Sequence, residues 1–182
     1  MTERKKSWQC LQSERGPDLT LFKVRYDYMQ NPRNANTGKM IILEASDSVN
    51  VLALTTGQQV IFVKQYRFGI ADYTLELPGG IVDPGEEVQT AGERELREET
   101  GYTGQSWQSL GKVGSNPVFM DNYIHHWLAR DVEPTHQPQL DEGEEIELVF
   151  LSLDEVKNRL RDGRFLHPHT ISALTRYFFV FT

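Results

Sequence analysis

Residues 20–28 alternate apolar and polar side chains, with Phe22, Val24, Tyr26 and Tyr28 on one side and Lys23, Arg25 and Asp27 on the other. That period of two predicts a β-strand. A polar, turn-rich stretch at 31–38 interrupts the chain before a second strand at 39–44 that pairs with the first. The apolar runs at 51–55 and 60–66 flank Thr56-Gly57-Gln58-Gln59 and predict a hairpin of core strands. The pattern then lengthens to a helical period over 87–100, which ends at Gly101, a residue suited to a left-handed C-terminal cap. Further strands are predicted at 124–129 and 146–151. A helix opens on the capping box Ser152-Leu153-Asp154-Glu155 and closes at Gly163, and a last helix covers 169–179.

This order of strands with interspersed helices predicts an α+β fold, an α/β/α sandwich. Residues 1–45 read as an N-terminal extension of antiparallel strands and 46–182 as the main domain. At 182 residues the chain is long enough for one substantial core, and no repeat or linker marks a third part.

The helix at 87–100 carries an anomaly. At about 100° per residue, Val88, Ala91, Gly92, Glu95 and Glu99 share one face, with Leu96 just beyond and Glu98 at its edge. The outer face is explained by i,i+4 pairs, Glu93 with Arg97 and Arg94 with Glu98. Glu95 and Glu99 have no cation at helical spacing on their own side, and unpartnered buried carboxylates are costly. Converging carboxylate oxygens suit Mg²⁺ or Mn²⁺, hard ions that retain positions for water and phosphate. The small Ala91 and Gly92 would let the helix lie close to a sheet.

Charge sharpens this reading. With 26 acidic against 19 basic residues the net charge is -7, which argues against a nucleic-acid binder, since phosphate-backbone binding is driven by Lys and Arg. An acidic protein that handles phosphates needs a cation. Cys10 is the only cysteine, so a Cys-based metal site is excluded, as is an internal disulfide. No segment approaches the roughly 20 apolar residues of a membrane span, and a soluble, cytoplasmic protein is expected.

The spacing of Gly80, Glu86, Arg94-Glu95-Leu96, Arg97, Glu98-Glu99, Thr100 and Gly101-Tyr102 resembles the Nudix box of the Nudix hydrolases. Tyr102 stands where the family's pattern usually has an aliphatic residue. The resemblance implies the Nudix fold and divalent-metal-dependent hydrolysis of a nucleoside diphosphate linked to another group. It assigns metal binding to Glu95, Glu98 and Glu99, with the Gly79 carbonyl as a further ligand, and a loop-holding role to Glu86 and Arg94. An intact box also speaks against a module that only binds nucleotides.

Outside the box, Gln65-Tyr66-Arg67, Leu75-Glu76-Leu77-Pro78-Gly79-Gly80, Pro117 and the acidic loop at 141–145 resemble the ADP-ribose pyrophosphatase and nucleotide-sugar branch. The resemblance implies substrate contacts from Gln65, Arg67, Glu76 and Pro117. Glu142 becomes the general base, with Glu144 as an auxiliary contact and Glu99 in the catalytic set. It also implies a homodimer paired through the N-terminal strands. The sequence Ser115-Asn116-Pro117-Val118 departs from the Ser-Pro-Gly common in ADP-ribose enzymes, so a GDP-mannose-type or broader nucleotide-sugar substrate stands as the alternative. His125 and His126 lie in a strand, where alternation turns one inward as a hydrogen-bonded structural residue.

Overall fold

The structure, a computed structural model, describes residues 7–140, Gly143 and 145–181. The chain forms two compact units, one comprising the residues up to Ala45 with Gly114–Asn122, the other Ser46–Val113 with the residues from Tyr123 onward. The segment Gly114–Asn122, which the sequence reading left inside the 46–182 domain, therefore belongs with the N-terminal strands.

In the first unit, β1 (Gln9–Asp18), β2 (Lys23–Gln30) and β3 (Thr37–Glu44) form an antiparallel sheet in the order β1-β2-β3. The β2–β3 hairpin expected from the alternation is present, with Lys23 opposite Glu44 and Gln30 opposite Thr37. β1 carries no such signal, because nearly all of its side chains are exposed and none is required to be apolar. Gly16 lets it lie close on β2, since a Cβ there would stand 3.0 Å from Val24 and from the Tyr26 ring. Gly114–Asn122 is tied to β3 by the Leu43 N–H donating to the Phe119 carbonyl at 2.7 Å. Arg25 joins Asp27, Glu44 and Asp121 in one charged cluster.

The second unit is built on β4 (Ser48–Thr55), β5 (Gln59–Arg67), β6 (Asp72–Glu76), β7 (Gly79–Ile81), β8 (Tyr102–Thr103), β9 (Ser106–Gly114), β10 (Tyr123–Pro134) and β11 (Glu147–Ser152). Among the described residues these make one sheet in the order β11-β5-β4-β10-β8, with β6 added to β5, β7 to β4 and β9 to β10. β4 and β10 are parallel. Central β4 is buried on both faces, which is why it reads as a continuous apolar run. Val51, Ala53, Ile61, Ala129 and Val132 pack against Leu96 of α1 (Val88–Thr100). On the opposite face Leu52, Leu54, Phe62 and Leu128 pack against Val156 of α2 (Leu153–Arg161) and against Ala173 and Leu174 of α3 (Pro168–Arg176). The result is the expected α/β/α sandwich.

Local chemistry sets the helix ends. Gly101 closes α1 with φ of 76° and donates to the Arg97 carbonyl, and Ser152 and Glu155 form the capping box of α2. The last helix differs from the single span expected at 169–179. It starts at Pro168, a residue preorganised for the first turn, and gives way to a π-helical turn at Tyr177–Phe181. That turn buries Tyr177 and leaves Phe179 and Val180 exposed.

Candidate active site

Two glycines let β7 fit between β4 and the acidic helix. A Cβ on Gly79 would lie 2.7 Å from the Asn50 Cα of β4, and one on Gly80 would lie 2.6 Å from the carboxyl carbon of Glu95. Lacking side chains, Gly79 lets β7 lie close against β4, and Gly80 lets it pass over Glu95 of α1. The Gly79 N–H then donates to Glu99 Oε2 at 2.9 Å, satisfying a carboxylate that is only 4% exposed. Gly92 lets α1 lie close on β4, since a Cβ there would already touch Val51 and Val49. The buried face of α1 comprises Ala91, Gly92, Leu96, Glu99 and Thr100. It is rotated toward Leu96 and Thr100 relative to the sequence reading, which leaves Glu95 at its edge.

Arg94 organises the remaining acids. Its Nε and Nη2 donate to the two oxygens of Glu86 at 3.1 and 3.0 Å, and Nη2 also reaches the Ile81 carbonyl at 3.0 Å. Nη1 donates to Glu95 at 2.8 Å and to Glu98 at 3.2 Å. The hydrogen bond to Glu86 is the largest of the contributions that raise the Arg94 pKa, and the same bond holds Glu86 below the usual carboxylate range. The expectation that Glu95 lacks a cation is thus corrected. Arg94 stands about 100° around the helix from it, but a wheel places Cβ directions and ignores the reach of a long guanidinium. The expected Arg94–Glu98 pair is present. Arg97 lies 3.6 Å from Glu98, and Glu93 accepts from Gln89 at 2.9 Å.

The donor set suits a hard divalent cation: Glu95, Glu98 and Glu99 offer carboxylate oxygens beside a strand that glycines keep open. Among the described residues no three His, Cys, Asp or Glu side chains stand close enough to hold one metal ion as they are arranged. Arg94 and the Gly79 N–H occupy oxygens of all three carboxylates.

The β5–β6 hairpin carries the residues expected to face the substrate. Arg67 and Glu76 are not independent contacts. Glu76 is 1% exposed, and its two oxygens accept from Arg67 Nε and Nη2, both at 2.6 Å, in a side-on bidentate pair. The Thr74 hydroxyl donates to the same carboxylate, and His167 Nδ1 lies 3.2 Å from it. Burial pushes the Glu76 carboxyl up, but the bonds from Arg67 and Thr74 prevail and leave it below its ordinary value. Burial also lowers His167, to about 4, so the imidazole is neutral near pH 7. Sequence reasoning missed Thr74 and His167; the one available signal was His167 directly before Pro168 at the start of a helix. Gln65 lies half-buried on β5 opposite Thr74. Pro117 belongs to the first unit, in a turn where the Phe119 and Met120 N–H groups donate to the Asn116 carbonyl.

His126 is fully buried, with Nδ1 2.7 Å from Asn50 Oδ1 and Nε2 3.0 Å from the Ser172 hydroxyl. Burial lowers its pKa to about 4. His125 turns the other way, to Asp47 at 2.8 Å. Alternation thus turns one of the two inward, as expected, and that one is His126. Glu142 and Glu144 lie outside the described residues. The chain enters 141–145 from Gln139, whose N–H donates to the Glu98 carbonyl at 2.7 Å.

The NUDIX domain model matches residues 45–172, well over half of the chain. The chain belongs to the Nudix family. The "Methanol dehydrogenase activator" of Bacillus methanolicus is 31% identical over 155 residues, 85% of this chain and 83% of that protein. An "ADP-ribose pyrophosphatase" of Bacillus subtilis (strain 168) is 32% identical over 123 residues, 67% of this chain and 66% of its own length. The crystal structure of an ADP compounds hydrolase matches the fold with a TM-score of 0.83 over 97% of this chain and 95% of that one, at 24% identity. Nudix membership identifies the β7–α1 region as the Nudix box, a loop, helix and loop. Members of the family generally require a divalent metal, and among the described residues no helix is long and apolar enough to cross a membrane.

Proposed function

We propose that the protein hydrolyses the diphosphate bond of ADP-ribose or a related nucleoside diphosphate sugar, giving a nucleoside monophosphate and a sugar phosphate. The observation that carries this reading is the seating of Gly79 and Gly80 over the Glu95 and Glu99 carboxylates of the Nudix helix. Glu95, Glu98 and Glu99, with the Gly79 carbonyl, would hold Mg²⁺ or Mn²⁺, which when bound supplies charge neutralisation of the diphosphate and an acidified water. Arg94 keeps Glu86, Glu95 and Glu98 together against their mutual repulsion, so the acids are preorganised.

Arg67 binds the diphosphate side of the substrate, with Glu76 holding the guanidinium in place and Gln65 beside it. The assignment of Pro117 to the substrate rests on its order along the chain after the box. Glu142 takes the proton of the attacking water, with Glu144 auxiliary to it. The names of the relatives support an ADP-type substrate. Asn116-Pro117-Val118 favours the second reading, a GDP-mannose-type or broad nucleotide-sugar hydrolase.

Incubation of the purified protein and Mg²⁺ with ADP-ribose, GDP-mannose, UDP-glucose, NADH and dinucleoside polyphosphates tests both readings. AMP with ribose 5-phosphate, or a nucleoside monophosphate with a sugar phosphate, is the expected product pair. Cleavage of nucleoside triphosphates alone would overturn both.

The working form is a homodimer paired through the N-terminal strands, about residues 18–45. Leu19, Leu21 and Ile41 of that unit are 55%, 70% and 57% exposed, an apolar surface that a second copy would cover. Light scattering at micromolar concentration is expected to return twice the chain mass, and a monomer there would refute the pairing. The net charge of -7 and the lone Cys10 fit a cytoplasmic enzyme with no nucleic-acid partner.

A further inference from the structure

On the face of the second unit's sheet opposite α1, a concave groove of about 340 Å³ lies between the β5–β6 hairpin and the turn after α2. Three cations line it, Lys64, Arg159 and Arg164, against one carboxylate, Glu147. The lining is net cationic, while Glu155 and Asp162 stand with the same two arginines on the adjoining surface. The backbone brings two of these residues to one turn. Gly163 adopts φ of 68° and turns the chain back after α2, so that the Arg164 N–H donates to the Arg159 carbonyl at 2.9 Å. The backbones of Arg159 and Arg164 are thereby joined across the turn, and both residues border the groove.

Partial compensation is present on the protein. Lys64 pairs with Glu147 at 2.8 Å, and Arg164 lies 3.9 Å from Asp162. The second distance is long, and the Arg164 side chain remains 66% exposed. The remaining wall is apolar and aromatic. Leu75 and Val149 form the floor, packed on the core, while Tyr73 and Leu166 are exposed at the rim. The volume is in the range of small-ligand sites, and the lining mixes cationic and apolar side chains, with Lys64 Nζ 5.4 Å from the centre of the Tyr73 ring.

We infer that this groove is a second ligand site, separate from the Nudix helix, that takes a phosphate monoester carrying a ring, of the nucleoside monophosphate class. Arg159 and Arg164 hold the phosphate, and Tyr73 with Leu166 covers the ring. The ligand class rests on the proposed reaction, of which a nucleoside monophosphate is a product, so the site would let product bind away from the catalytic helix.

Binding without turnover separates this inference from the reaction itself. AMP titrated into the isotope-labelled full chain, with no divalent metal added, is expected to shift the backbone amide signals of Thr74, Val149, Arg164 and Leu166. Arg159→Ser with Arg164→Ser should weaken that binding at least tenfold while leaving the fold unchanged, because neither side chain is part of the core. Adenosine, and inorganic phosphate alone, should each bind at least tenfold more weakly than AMP. Shifts confined to the Nudix helix, an unaltered affinity in the double variant, or phosphate binding as well as AMP would each overturn the site. Whether ADP-ribose is hydrolysed does not enter these outcomes.

Discussion

Glu99→Gln is expected to lower kcat by about 10²–10³-fold, the scale for removing one group that stabilises charge in a reacting complex. Glu99 is almost completely buried and accepts the Gly79 N–H at 2.9 Å. Gln keeps the shape and an oxygen for that bond, so the β7–α1 contact survives while the negative charge is lost. Thermal unfolding should therefore move little, and the loss should persist at saturating Mg²⁺. Glu93→Gln is the matching control, since Glu93 lies on the outer side of α1 in contact with Gln89, and it should leave turnover near wild type. A Glu99→Gln protein that is folded and near-normal at saturating Mg²⁺ would place the catalytic acids elsewhere.

The second large effect is expected at the base. Glu142→Gln should depress kcat by about 10²–10⁴-fold with little change in KM, because a proton acceptor contributes to the chemical step more than to binding. The motivation is positional: Gln139, two residues before the acidic stretch 141–145, donates its N–H to the Glu98 carbonyl in the last turn of the Nudix helix. Glu147→Gln should change little, since Glu147 sits on β11 and pairs with Lys64. Activity retained in Glu142→Gln but lost in Glu144→Gln or Glu145→Gln would move the role within the loop. Activity retained in all three would put the base outside it.

Reach and burial separate what the helix pattern could tell from what it could not. The spacing of Glu95, Glu98 and Glu99 depends only on helical period, which turns Glu99 to the buried face and sets Glu95 at its edge. The engagement of Glu95 by Arg94 depends on where a flexible six-bond side chain folds, and that is decided by Glu86 and the Ile81 carbonyl arriving from the preceding loop. Likewise Gln65-Tyr66-Arg67 and Glu76 were visible as separate motifs, but their joining into one pair required β5 and β6 to form the register that sets Arg67 opposite Asp72 and Val63 opposite Glu76.

Amino-acid order by itself determined the core strands of the β4–β5 hairpin, β10 and β11, the ends of α1 and α2, and the family. These follow from short-range rules: periodicity, caps, and the spacing of like groups along one helix. β1 escaped because an exposed strand has no side-chain pattern to obey, and its ladder is made by backbone groups that every residue carries. Only the tertiary structure decided that Gly114–Asn122 joins the N-terminal sheet, that His167, at the N-cap of α3, meets Glu76 of β6, and that Arg159 and Arg164 border one groove with Lys64. Each of these contacts joins residues whose separation along the chain carries no information about their distance, and each is set by how the buried faces of the elements pack.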